Sequence, residues 1–424
     1  MPKQQELSTA PTEAPRHGVA NNLPQFLLLL VVNAFVGATI GVERSTLATL
    51  GKDVFLLSSA TVATSFIVAF GITKACTNLF AGRLADTLGR RRVLLLGWLF
   101  AIPVPLMIMF APTWGWVVAA NVFLGLNQGL CWTLTLLMKI DLGGRKRRGF
   151  SAGINETVGY GAVALAAFVG TELAFNYDIR TAPFVFMLVV AVVGLAVTFF
   201  LVKDTQRHVD REHIEETDGE ASPTWKSVFA MVSFKDKGLF AYLQAGFARN
   251  LADGMAWGLL LIMFSEALGS RSAGTLAWIM VGAFAIGQMV FGAASDRYGR
   301  KGFVVVGMLA VSASLVMIAS TEGFAAWVVG VLALGVGGSL MYPTVIAGLS
   351  DRMAPIWRAS GLGVYRFWRD MGYAAGALSS GLIADAFSTR AAVYTVAAVC
   401  LVSAIAAAVL LPAGRVSEGS KQEL

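Results

Sequence analysis

Apolar runs of about 20 residues alternate with short polar stretches along almost the whole chain, and a run of that length crosses a ~30 Å hydrocarbon core as a helix. Twelve such spans are read, at about 24–44, 60–80, 93–111, 115–138, 150–172, 182–202, 239–263, 274–293, 303–320, 325–348, 360–383 and 391–411. No charged residue occurs from Val93 to Met138, and Ala111-Pro112-Thr113-Trp114-Gly115 is the turn that divides this stretch in two. Trp114 and Trp116 then fall at a membrane interface, where indoles are favoured. The pattern predicts an all-α membrane protein of twelve transmembrane helices.

The longest polar segment, 203–238, separates two six-helix bundles, 23–202 and 239–411, with polar tails at 1–22 and 412–424. Within it Arg207 to Glu220 reads as a solvated linker, its His208 and His213 included, and Trp225 to Phe234 as an amphipathic piece along the membrane surface. The halves are copies. At one constant, gapless offset Asp86 matches Asp296, Gly97 matches Gly307, Gly125 matches Gly335, Asp141 matches Asp351 and Arg148 matches Arg358. A short shift in the first loop aligns Asn33, Gly37 and Gly41 with Asn250, Gly254 and Gly258, glycines that let neighbouring helices approach closely. Such repeats mark transporters whose halves rock about a central site.

The composition, 56% hydrophobic and 14% charged over 424 residues, excludes an ordinary soluble protein. The net charge of +7 sits in short loops, so it signals membrane orientation and not nucleic acid. With both termini cytoplasmic, only Arg44, Lys52, Arg180, Arg271 and Arg390 are left outside. Cys76, Cys131 and Cys400 lie far apart in apolar runs and read as small buried thiols.

After the second span of each half comes a repeated stretch. Gly82-Arg83-Leu84-Ala85-Asp86-Thr87-Leu88-Gly89-Arg90-Arg91 returns as Gly292-Ala293-Ala294-Ser295-Asp296-Arg297-Tyr298-Gly299-Arg300-Lys301. It combines a helix end, a carboxylate, a turn glycine and a cationic cluster that cannot enter lipid. On these residues the chain resembles the major facilitator superfamily of secondary transporters over nearly its whole length. The resemblance implies alternating access, with Asp86 and Arg90 closing the cytoplasmic side against the facing half and Asp86 near the N-terminus of span 11. Gly82, Gly89, Arg91, Gly292, Asp296, Arg297, Gly299 and Arg300 complete the two gate motifs. The drug-exporter arginine of span 4 is replaced by Gly125, and span 5 lacks the exporters' proline. Glu43-Arg44, the Met138-Lys139-Ile140-Asp141 end of span 4 and Asn155-Glu156 resemble a poorly characterised bacterial subgroup of the family.

Ionisable groups at bilayer depth mark function by default. Arg366, Arg369, Asp370 and Tyr373 share one face of span 11, where Arg366 and Asp370 are spaced to pair and Arg369 has no partner on its own helix. Glu156 on span 5 holds the position that Arg369 holds in the other half; a buried glutamate without a fixed cation can carry a proton. Asp253 is the second proton candidate, spaced to pair with Arg249. Asn33, Lys74, Gln128, Trp132, Arg249 and Asn250 are further pathway candidates. Lys74 is expected to meet Asp370, Lys139 to snorkel toward water, and Glu43 and Arg44 to form an interfacial pair.

The expected protein is a bacterial inner-membrane secondary transporter, monomeric, proton-coupled and moving a small molecule, with export the preferred direction. No cofactor, metal or nucleic acid is expected, and no enzyme constellation of nucleophile, acid pair or metal cluster is present in a chain with three histidines. Import or uniport of a small organic anion or metal chelate is the alternative. A non-transporting membrane receptor is the reading from a different class.

Overall fold

The computed structural model describes residues 18–143, 148–206, 223–353 and 355–412. Twelve long helices run through these described residues: Leu23–Asp53, Ala60–Leu88, Arg90–Met109, Trp114–Gly143, Arg148–Asn176, Ala182–Leu201, Lys237–Leu268, Ser270–Tyr298, Arg300–Ser320, Phe324–Arg352, Pro355–Ala386 and Thr389–Leu410. Eleven of them are recognisable as membrane spans by length and apolarity alone. The exception is span 11, Pro355–Ala386, which carries Arg366, Arg369 and Asp370.

Several helices outrun the apolar pattern. Span 1 continues to Asp53, so Glu43 and Arg44 lie inside it, 0% and 1% exposed. The drop in hydropathy at Glu43 marks where lipid ceases to be the neighbour, not where the helix ends. This corrects the interfacial placement of that pair. Trp114 is also buried, its indole donating to the Val62 carbonyl at 2.8 Å, whereas Trp116 is exposed. Lys139 does not snorkel: it is fully buried and its Nζ donates to the Leu29 carbonyl at 3.1 Å. Cys76 is exposed, while Cys131 and Cys400 are buried.

Span 3 breaks at Ile102, before Pro103, because the proline nitrogen offers no hydrogen to the preceding turn. The span 2–3 and span 8–9 turns pivot on Gly89 (φ 86°) and Gly299 (φ 94°), backbone conformations that a side chain would strain. The short helix Trp225–Ala230 packs Phe229 against Phe367 and Trp368 of span 11, and Trp368 donates to Ser233 at 3.0 Å. His208 and His213 lie outside the described residues.

The matched glycines sit where helices touch. A Cβ on Gly37 or Gly41 would strike the span 5 backbone, and one on Gly254 would strike the Tyr373 carbonyl of span 11. Between the halves, span 2 packs on span 11 and span 5 on span 8. At the end opposite the repeated loops, four groups of polar contacts join the halves: Lys52 with Glu266 (3.1 Å), Ser270 with Asp53 (3.3 Å), Arg271 with Glu172 (3.0 Å), and Asp385 with the start of span 2. Asp385 accepts from Ser59 Oγ (2.7 Å), Ala60 N (2.6 Å) and Thr61 N (3.0 Å), capping that helix from the other half.

Candidate functional site

Midway along the bundle, spans 1, 2, 4, 5, 7 and 11 enclose a cavity of about 60 Å³ between the halves. Its walls are aromatic: Phe70, Trp132, Tyr160, Trp257 and Tyr373. Its polar groups are Arg44, Lys74, Asn250, Asp253, Arg369 and Asp370. Tyr160 forms edge-to-face contacts with Trp132 (5.2 Å), Phe284 (4.8 Å) and Tyr342 (5.9 Å), so one aromatic layer joins both halves.

A hydrogen-bonded chain crosses between the halves beside this cavity. Arg369 donates twice to Asp370, from Nε at 2.9 Å and Nη2 at 2.7 Å, and from Nη1 to the Tyr342 hydroxyl at 2.5 Å. The Tyr342 hydroxyl donates in turn to Glu156 at 3.1 Å. Glu156, 4% exposed, also accepts from Trp132 Nε1 (3.0 Å) and Asn155 Nδ2 (3.1 Å), with Arg366 at 3.9 Å. A second strand runs from Arg366 to the Thr133 hydroxyl (3.3 Å) and on to Asn78 (2.9 Å), whose amide donates to Asp370 at 2.5 Å. Asn250 closes the circuit on Asp370 at 3.4 Å.

These partners correct three expectations. Asp370 pairs with its neighbour Arg369 and not with Arg366. Arg369 therefore does have a partner on its own helix. Asn78, one turn beyond Lys74, is the span 2 residue that meets Asp370, while Lys74 lies over the rings of Phe70 (5.5 Å) and Trp132 (5.6 Å). The Arg249–Asp253 pair forms within span 7 as the spacing implies, with Arg249 also over Phe284 at 5.6 Å.

Asn33 and Gln128 fall outside the cavity. Asn33 donates to the Asn155 carbonyl at 2.7 Å and accepts from Thr135 at 3.0 Å; Gln128 donates to the Val36 carbonyl at 2.9 Å. Both hold span 1 to its neighbours, and an amide facing protein looks in sequence like one facing a pathway. Tyr342 and the cavity position of Arg44 are the residues that sequence reasoning misses. A tyrosine preceding Pro343 inside span 10 is the available signal for the first.

At the loop end, Arg90 lies 3.5 Å from Asp141 and Arg300 lies 3.1 Å from Asp351, matched positions of the two halves. Among the contacts described, Arg90 thus meets an acid of its own half. Thr205 donates to Asp141 at 2.7 Å, the Arg91 amide donates to Asp204 at 2.9 Å, and Arg297 stacks on Tyr298 at 5.5 Å. The backbone around Gly82 and Gly292 is helical; the side chains of Asp86 and Asp296 lie outside the described residues. No group of three or more metal-ligating side chains occurs among the described residues.

A family model described as Major Facilitator Superfamily matches residues 25–252 and 245–423. An uncharacterized MFS-type transporter of Salmonella typhimurium (strain LT2) is 24% identical over 344 residues, 78% of this chain and 81% of its own. The uncharacterized MFS-type transporter YttB of Bacillus subtilis (strain 168) is 23% identical over 90% of this chain and 94% of its own. Among solved structures, the nucleoside transporter NupG superposes with a TM-score of 0.71 at 13% identity, covering 90% of this chain and 98% of that one. A partially occluded inward-open form of the xylose transporter XylE from E. coli gives 0.73 at 11% identity, covering 90% and 96%. At these identities the likeness is one of fold.

Proposed function

The chain belongs to the major facilitator superfamily, a membrane transporter and not an enzyme, and from that premise we propose that it exchanges a small solute for protons by alternating access, in the export direction. The proposed orientation places both termini and the repeated loops in the cytoplasm of a bacterial cell, in its inner membrane, with the chain working as a monomer. The central cavity is the proposed binding site.

The observation that carries the proton role is the setting of Glu156. Two of its partners, Trp132 and Asn155, belong to its own half; Tyr342 and Arg366 belong to the other. A buried carboxylate persists as an anion only while donors and a cation surround it. Parting the halves on the cytoplasmic side withdraws Tyr342 and Arg366 together. A proton taken up by Glu156 from the outer side favours that parting, and solute entering from the cytoplasm displaces it inward before the halves re-form their contacts, so proton and solute move in opposite directions. Asp253 is the reserve candidate, since its partner Arg249 stands on the same helix and need not leave it when the halves part.

The test uses everted membrane vesicles holding an imposed pH gradient, with solutes chosen from a growth screen of deletion and overexpression strains against drugs, metals and organic acids. A solute that dissipates the gradient in wild-type vesicles, but not in Glu156→Gln vesicles, is the expected result. Solute movement equal in the two, with no change in the gradient, overturns the proton role. Co-transport of an anion with protons is the second reading, and the cations lining the cavity favour it.

A further inference from the structure

The cavity's two acids already receive hydrogen bonds or ion pairs from protein groups, whereas two of its cations donate no hydrogen bond among the described residues. Asp370 receives Arg369, Asn78 and Asn250, and Asp253 receives Arg249. Lys74 is half-buried at the cavity wall, with Asp370 and Glu156 the nearby opposite charges; it lies over the faces of Phe70 and Trp132 and makes no hydrogen bond or ion pair among the described residues. Arg44 is 1% exposed, and its Nε, Nη1 and Nη2 all lack a hydrogen-bond partner among the described residues. The carboxylate beside it is Glu43, at 2.9 Å. Glu43 offsets the charge of Arg44 as an ion pair at Nη1, yet none of the three guanidinium nitrogens makes a hydrogen bond among the described residues.

The guanidinium is instead held among rings, 4.2 Å from the centre of Phe70, 5.3 Å from Phe66 and 5.4 Å from Tyr373. Stacking of this kind fixes the plane of an arginine while leaving its edge donors for an in-plane acceptor. Arg44 and Lys74 share the Phe70 ring, so both cations lie at one wall of the cavity. The other aromatic lining, Tyr160 and Trp257, offers ring surface to an apolar body.

Resting on the transporter reading above, we infer that the cavity selects a small organic carboxylate with a flat apolar body. Arg44 takes the carboxylate through its unused donors, Lys74 supplies the second positive charge, and the rings take the body. Neutral and cationic relatives of the same shape are rejected. They leave the buried guanidinium without its acceptor or add a cation beside it. An anion leaving a cell whose interior is negative is also favoured by the membrane potential, in keeping with export.

The probe is benzoate, against its neutral relative benzamide and the cation benzylammonium, added to the purified full chain in detergent. Trp132 and Trp257 line the cavity, so quenching of tryptophan fluorescence reports occupancy. Saturable quenching by benzoate alone is expected, weakened about tenfold or more in Lys74→Gln and in Glu43→Gln/Arg44→Gln, the double variant removing both charges so that no lone charge stays buried. Thermal melting of each variant confirms folding. Equal binding of benzamide or benzylammonium, or unaltered benzoate binding in both folded variants, overturns the assignment. So does an absence of benzoate binding to the wild type. Failure here leaves the pH-gradient test of transport standing, and a transporter with proton-linked flux but no anion preference separates the two conclusions.

Discussion

The Tyr342 hydroxyl of span 10 donates to Glu156 of span 5 at 3.1 Å, one direct bond between the two halves of the bundle. The same hydroxyl accepts from Arg369, so one phenol joins a buried acid of the N-terminal half to the charged face of span 11. Tyr342→Phe removes a donor from Glu156 and an acceptor from Arg369 while keeping the ring. Leaving buried polar groups unsatisfied costs about 1–3 kcal/mol. The closed form should lose that stability, read as a lower thermal midpoint of the purified protein. An unchanged midpoint would place the phenol outside the closing contact.

Arg369→Lys tests the fork. All three guanidinium nitrogens are engaged, two on Asp370 and one on Tyr342, and an ammonium cannot reproduce that planar set. The expected outcome is a destabilised protein, again by about 1–3 kcal/mol, with any change in solute affinity following from the loss of order. Weaker solute binding at an unaltered melting temperature would return Arg369 to direct contact with solute.

How much of the fold and site is legible in the chain differs from residue to residue. The twelve spans, the repeated loops and the Arg249–Asp253 pair follow from spacing along one helix, which a sequence carries. The face each helix turns to its neighbours does not. Spacing alone pairs Asp370 with Arg366, yet Asp370 takes Arg369, with Asn78 and Asn250 arriving on the same carboxylate from spans 2 and 7. Glu43 and Arg44 are misplaced by hydropathy because it records contact with lipid. These two charges are enclosed by protein, within a helix that runs on to Asp53, about 15 Å further. Asn33 and Gln128 look like pathway groups until the carbonyls of Asn155 and Val36 are seen to take them.

Asp385 caps the start of span 2 from the other half, and its carboxylate suits the positive end of a helix. Asp385→Asn puts an amide where two backbone N–H groups point. The closed end opposite the repeated loops should weaken by about 1 kcal/mol. Spin labels at Leu56 and Phe387, both exposed on opposite halves, should show a broader and longer distance distribution in the variant. A distribution that stays narrow would mean the other three contacts at that end suffice.

Asp86→Asn addresses the loop after span 2. If this carboxylate closes the cytoplasmic side, the variant inserts normally and transports poorly. Full proton-linked flux in vesicles containing the variant would remove Asp86 from the gate.

The central claim is that the protonation of Glu156 and the parting of the halves are one event. Leu88 and Tyr298 are exposed at the loop ends of spans 2 and 8, in opposite halves, and spin labels there report that parting without any solute. The charged carboxylate is held by Tyr342 and Arg366 only when the halves meet, so acidification should shift the wild-type distribution toward longer distances. Glu156→Gln, a permanent mimic of the protonated side chain, should show the long distance at every pH tested. A Glu156→Gln protein whose distances still follow pH as the wild type's do would contradict the account.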